Sequence, residues 1–245
     1  MRYFKDENVL EAAKERIRFV FGEFGNVFVA HSGGKDSTVT FHLALEVAKE
    51  MGRTPLPVLF IDQEAEFTQT IDVIKSVMYR DDVEPHWLQC PIFIFNATSH
   101  EKDWIGCWEE GAEWLRDKDP VSIKENNFGT TRIKEMFSYY PAHLFPKEPF
   151  AMLGGVRCEE SPTRRAGLTG ARTYKWVTWG KKLKAKNHYT FYPLYDWSYS
   201  DIWKAIHEHG WQYNEVYDQQ YRHGVPEHGN PADFPFRGVP GFFMG

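Results

Sequence analysis

A strand, a glycine-rich turn and a helix follow one another directly near the start of this chain, and that succession limits what it can become. The apolar run Val27-Phe28-Val29-Ala30 reads as a buried strand. After it, Val39, Leu43 and Val47 interleave with Phe41, Ala44, Leu45 and Ala48 at helical spacing, which predicts a helix to about Lys49. Between them lies Ser32-Gly33-Gly34-Lys35-Asp36-Ser37. Two adjacent glycines let the backbone turn tightly and approach a ligand. Such a turn brings N–H groups and a helix N-terminus to one point, which suits an anion. Lys35 adds a mobile positive charge, and Ser32 and Ser37 add hydroxyls. A polyphosphate fits this set better than a lone carboxylate.

The turn is not a Walker loop, which needs four residues between its first glycine and its Gly-Lys pair. It resembles instead the pyrophosphate loop (PP-loop) of the N-type ATP pyrophosphatases, whose signature SGGxDS follows the first strand. The plain alternative is a β–α turn with exposed polar residues.

The remaining chain continues the alternation of strand and helix. Val9, Ala13, Ile17 and Phe21 mark an amphipathic helix from about Asp6 to Phe21, with Gly22 and Gly25 ending it. Pro55 to Ile61 predicts a second buried strand, and Asp62 and Glu64 follow it, where ligands sit in an open α/β sheet. For each, the alternative is a solvated loop acid or a helix N-cap. Phe67, Ile71, Ile74 and Met78 give another helix face, and His86 to Cys90 a third strand. Residues 96–145 break the rhythm, with Trp104, Trp108 and Trp114 among charges and no evident strand. They are expected to form a helical insertion or lid whose tryptophans either build its own small core or stack on a base.

Strand-to-helix rhythm resumes at Phe150–Gly155. Ser161-Pro162 then reads as an N-cap followed by proline at the first helical position. Arg157 lies on the turn, and Arg164 and Arg165 in the first helical turn, where cations oppose the helix dipole. A compensating anion is expected there, either a bound phosphate or Glu159 and Glu160. Trp176–Trp179 and Tyr189–Leu194 predict further strands. Ser198 and Asp201 have near capping-box spacing. The tail, 213–245, shows no helical period.

Composition narrows the function classes. A net charge of -5 gives no general pull toward nucleic acid, leaving the basic run Lys181–Lys186 as a local candidate for RNA phosphate or a solvated turn. No apolar run is long enough to span a membrane. Met1–Asp6 lacks the apolar stretch of a signal peptide. Three separated cysteines, Cys90, Cys107 and Cys158, fit a reducing cytoplasm and argue against a zinc or iron–sulfur site.

Three blocks in order resemble one family: the Ser32–Ser37 loop, Gly155 to Arg164, and Pro193-Leu194-Tyr195-Asp196-Trp197 running to Trp203. Together they look like the phosphoadenylylsulfate (PAPS) reductase-like branch of the adenine nucleotide alpha hydrolase superfamily. The aromatic insertion looks most like the IbrA-like phage and prophage subfamily, whose name implies a ParB-like partner. The resemblance implies an α/β fold, a doubly wound and mostly parallel sheet, formed as a single PP-loop domain over 1–245. It implies that Ser32, Gly33, Gly34, Lys35, Asp36 and Ser37 hold the phosphates of an adenine nucleotide, ATP or PAPS. Asp62, Gly155, Arg157 and Arg164 would line the same cleft, with Lys35, Asp36 and Arg157 catalytic and Asp36 holding Mg²⁺. One departure matters: PAPS reductases carry a catalytic cysteine in a C-terminal segment, and here no cysteine follows Cys158. The expected activity is therefore cleavage of ATP to AMP and pyrophosphate by adenylation of an unknown acceptor. PAPS binding or reduction and a nucleotide-binding regulator without turnover are the alternatives.

Overall fold

The central strands are apolar at nearly every position, so the sheet must be covered on both faces. A computed structural model describes residues 6–96, 103–183 and 187–224. In chain order its elements are α1 (Val9–Glu23), β1 (Asn26–Ala30), α2 (Lys35–Glu50), β2 (Leu56–Ile61), α3 (Thr68–Met78), β3 (Val83–Leu88), β4 (Ile92–Phe95) and β5 (Trp104–Cys107). Then come α4 (Ile133–Leu144), β6 (Phe150–Leu153), α5 (Pro162–Thr169), β7 (Gly180–Lys182), β8 (His188–Phe191), α6 (Tyr199–His209) and α7 (Val216–Arg222). A short 3-10 turn, Cys158–Glu160, precedes α5. Six strands form one sheet in the order β3-β2-β1-β6-β8-β7, parallel throughout except that β7 runs against β8.

The two faces carry separate cores. Val27, Val29, Val58, Phe60, Ala151 and Leu153 face one core, which α1, α2, α3 and α6 complete. Phe28, Leu59, Ile61, Phe150 and Met152 face the other, completed by β4, β5 and α4. This period of two is the pleat itself. Strand order reverses between β1 and β6, whose neighbours lie in opposite directions, and in an open α/β sheet the ligand crevice lies beyond the carboxyl ends of such a pair.

Several elements differ from expectation. The helix α1 runs through Gly22 to Glu23. One glycine in a helix costs about 1 kcal/mol, and the burial of Val20 and Phe21 beside it outweighs that. The third strand occupies 83–88 rather than 86–90, and β4 and β5 form an unexpected antiparallel pair. The expected helical insertion thus holds, among its described residues, one strand, one helix and a long irregular run. It supplies Trp108, Met136 and Tyr140 to the second core. Trp108 is fully buried, whereas Trp104 and Trp114 are more than a third exposed. Residues 176–179 form no strand. Val177 N–H closes a reverse turn on the Tyr174 carbonyl at 2.8 Å, and Lys175 takes a positive φ of 49°. The tail contains the short helix α7, which buries none of its residues and so leaves no apolar period to read. Residues 1–5, 97–102, 184–186 and 225–245 lie outside the described residues, including half of the basic run and most of the tail.

Buried histidines give the fold a pH dependence. Burial, reinforced by His42, pushes His31 from 6.5 down to about 3, and burial with Arg80 pushes His42 down to about 4. Burial also lowers His86 despite Glu84. The unfolded chain binds protons at these rings near pH 6.5 while the folded chain does not, so stability is full above that pH and falls as pH drops. Denaturant midpoints measured from pH 7 to 4.5 are expected to decline, with a shallower slope in His31→Gln.

Candidate functional site

The turn after β1 is braced by its own side chains. Gly33 sits at φ 74°, and a Cβ there would stand 2.8 Å from the Thr70 methyl, so both conformation and space demand glycine. Ser32 N–H donates to Ser37 Oγ at 3.2 Å, and Ser37 Oγ donates to the Gly34 carbonyl at 2.9 Å. Gly33 N–H donates to His31 Nδ1 at 3.0 Å. With Nδ1 accepting, the neutral ring carries its proton on Nε2, which is buried without a hydrogen-bond partner. From the other side of the crevice, Gly155 presses on the first turn of α2. A Cβ on Gly155 would lie 2.6 Å from the Asp36 carbonyl carbon and Ser37 nitrogen, so the approach of β6 to α2 needs glycine.

Charge concentrates where these segments meet. Lys35 Nζ lies 3.0 Å from Asp36 Oδ2, and Arg157 Nε donates to Asp36 Oδ1. Burial pulls the Lys35 ammonium down, but Asp36 and Tyr217 outweigh it, so its net shift is upward and the charge is kept. Arg157 is 4% exposed, and its Nη1 also reaches Glu159 at 3.1 Å and the Trp197 carbonyl at 3.4 Å. Its backbone N–H donates to Glu160 Oε1 at 2.7 Å. Arg164 lies against Glu160 on α5, which starts as expected with Ser161 accepting from Arg164 N–H at 3.1 Å. The anions that balance the arginines are thus Asp36, Glu159 and Glu160, with Arg157 and Arg164 rather than Arg165 making the pairs.

This geometry does not fit the expected magnesium role of Asp36. Both carboxylate oxygens already face cations, and among the described residues no three His, Cys, Asp or Glu side chains gather as a metal site. Asp62 also departs from its expected place. It is fully buried, and its carboxylate accepts from Trp87 Nε1 at 2.8 Å, Gln89 Nε2 at 3.0 Å, Glu64 N–H at 2.8 Å and Arg116. Its lone pairs are spent on the scaffold, so it is not a ligand contact. Glu64 acts similarly, accepting from the backbone N–H of Trp108 at 2.6 Å and Leu115 at 3.0 Å. Both acids tie the irregular 108–119 run to the end of β2. Glu66 beside them is raised to about 7 by burial and by Asp62.

Two contributors were not legible in the sequence. Tyr217 Oη accepts the Lys35 N–H at 3.2 Å, and the Lys35 ammonium lies 5.1 Å from the Tyr217 ring and 5.7 Å from the Tyr199 ring. Asn214 Nδ2 donates to the Gly33 carbonyl at 3.3 Å. No spacing pattern marks a tyrosine 182 positions away as a loop neighbour. The third block proves mainly structural: Asp196 makes a two-pronged pair with Arg16 at 2.7 and 2.6 Å, and Trp197 Nε1 donates to the Val9 carbonyl at 3.1 Å.

Comparison with known proteins follows from this geometry. The profile of the phosphoadenosine phosphosulfate reductase domain matches residues 26–223, and the chain belongs to that family. An uncharacterized protein, YbdN of Escherichia coli K12, is 33% identical over 89% of the chain, which spans only 56% of that relative. An adenosine 5'-phosphosulfate reductase of Bacillus pumilus is 25% identical, covering 89% of this chain and 79% of the relative. A sulfate adenylyltransferase subunit 2 of Shewanella pealeana is 27% identical, covering 87% and 67%. In fold, the chain is similar to an FMN adenylyltransferase from Candida glabrata crystallised with FMN and an ATP analogue, at a TM-score of 0.53 and 16% identity over 89% of this chain and 64% of that one.

The Asp62 pair gives a stability test. Arg116→Ala leaves a fully buried carboxylate without its cation, and breaking such a pair costs about 3 kcal/mol. Urea unfolding is expected to show a loss of that order, with Asp62→Asn losing less because the amide carries no charge.

Proposed function

We propose that this chain holds an adenine nucleotide across the β1–β6 crevice, with its terminal phosphates at the Ser32–Ser37 turn, and transfers the adenylyl group of ATP to an acceptor oxyanion. The acceptor oxygen forms a bond to the α-phosphorus as the bond to the bridging oxygen breaks. Pyrophosphate leaves with that electron pair, and an oxyanion acceptor brings no proton to remove. Water in the same place would give AMP.

The observation that carries this reading is Lys35. Its N–H opens α2 and its ammonium stays charged within the crevice, so one residue offers a helix-terminal donor and a cation to the same leaving group. Asp36 and Arg157 are positioning residues here. Asp36 holds the ammonium, and Arg157 holds Asp36 while being held by Glu159 and the Trp197 carbonyl. Gly155 lets that group close on α2. Arg164, one-third exposed, lies beside Glu160. No step is assigned to a protein-held magnesium ion, since Asp36 is already paired.

Cys90 and Cys107, both buried, lend no support to thiol chemistry. Burial pushes Cys90 up to about 11 and Cys107 up to about 12, so neither thiol ionises at neutral pH. The relative named adenosine 5'-phosphosulfate reductase favours a second reading, in which the same crevice binds a sulfonucleotide such as PAPS. A regulator without turnover, working with a ParB-like partner, is separated from both by turnover itself.

Labelled ATP incubated with the protein, alone and with sulfate as a trial oxyanion, is expected to yield pyrophosphate with AMP or an adenylylated product. ADP as the sole product overturns the proposal. Lys35→Ala is expected to lower the rate on the order of 10²–10³-fold. Sulfite release from PAPS and a thiol reductant would favour the second reading.

A further inference from the structure

The N–H of Lys35 is the first donor of a 16-residue helix, the kind of group that a phosphate oxygen takes. Here Tyr217 Oη takes it, at 3.2 Å. The same oxygen lies 3.3 Å from where a Cβ on Gly34 would stand, so it rests against the backbone that glycine leaves open. The Lys35 ammonium meanwhile lies near the Tyr217 and Tyr199 rings. From this geometry we infer that Tyr217 is a displaceable occupant of the phosphate position, and that residues 213–222 form a latch which pyrophosphate, or the pyrophosphate end of a nucleotide, opens by taking its place. The inference rests on the proposed binding of phosphates at the Ser32–Ser37 turn.

The way the latch is held suits that exchange. Its near end is fixed: Trp211 stacks between His42 at 4.7 Å and His209 at 4.5 Å, just past Gly210 at φ 61°. Asn214, 4% exposed, then bonds Thr70 Oγ1 at 2.9 Å and the Gly33 carbonyl at 3.3 Å. Beyond Asn214 the grip weakens. No residue of α7 is buried, so the helix contributes little apolar stability of its own and belongs to the parts of a fold that open at low cost. Tyr217 links it to the turn by one neutral hydrogen bond and ring contacts. A phosphate oxygen carries charge, which makes it the stronger acceptor for the same N–H and a better partner for the ammonium. Exchange therefore runs toward the anion, and the latch lowers apparent affinity by the fraction of molecules in which it is shut. Its effect is to demand a charged ligand, because a neutral group gains nothing over the tyrosine.

Titration of inorganic pyrophosphate into the full chain, by calorimetry, tests this alongside Tyr217→Phe, Tyr217→Ala and Lys35→Ala. Thermal unfolding checks that each variant folds, and amide hydrogen exchange follows residues 213–222. Tyr217→Phe is expected to bind roughly 2–10-fold more tightly, the worth of one neutral hydrogen bond. Exchange in 216–222 is expected to rise when pyrophosphate binds. Affinity unchanged or weakened in both Tyr217 variants, or exchange that falls on binding, overturns the latch while leaving the phosphate site standing. Absence of pyrophosphate binding in every folded variant, or equal binding in Lys35→Ala, overturns the phosphate site itself, and the latch with it.

Discussion

The Asp36 carboxylate, shared between Lys35 and Arg157, ties the two halves of the sheet together. Lys35 and Asp36 begin the helix after β1, and Arg157 follows β6, so one acid spans the point where strand order reverses. The contact depends on Gly155, since any side chain there would strike the backbone of Asp36 and Ser37. Two cations around one buried acid leave the group net positive before Glu159 is counted. With Glu159 the group is neutral, so an incoming anion competes with Asp36 and Glu159 for the two cations. The same arrangement explains why Arg157 is held as scaffold: its Nε and Nη1 are engaged before any ligand arrives.

Most of the central architecture could be read from residue order. The Val27–Ala30 run, the glycine pair and the helical spacing beyond them are local facts, and each survives in β1, the turn and α2. Ser161-Pro162 likewise caps α5 through short-range chemistry alone. Failures came where distant contacts decide. Gly22 stays helical because its neighbours are buried, and residues 108–132 stay irregular where Glu64 and Gln89 accept from backbone N–H groups that a helix would have paired within itself. Trp176–Trp179 carries strand-like letters but turns, with Lys175 in the left-handed region.

The candidate site divides along the same line. The tight turn at Gly33 and the close approach at Gly155 were legible because only glycine serves where backbone turns or packs that closely. Asp62 was misplaced by an argument sound in general, that acids at strand ends face ligands. Here Trp87, Gln89 and Arg116 converge on it from 25 to 54 positions away, and no window of sequence shows that. Tyr217 was invisible for the converse reason, since α7 has no buried residue to mark its partners, and Asn214 because its partners Gly33 and Thr70 lie 181 and 144 positions away.

The sheet's two outer edges are closed by different means. Along β3, Ile123 adds a bridging pair, its N–H to the Trp87 carbonyl at 2.8 Å and its carbonyl to the Gln89 N–H at 3.0 Å. At the far side β7 has only three residues, and Lys181 and Lys182 stand exposed on it. A short, charged border repels a second copy that would otherwise extend the ladder. Lys181 and Lys182 thus make this border one that a further strand could join only by bringing its own backbone against like charge.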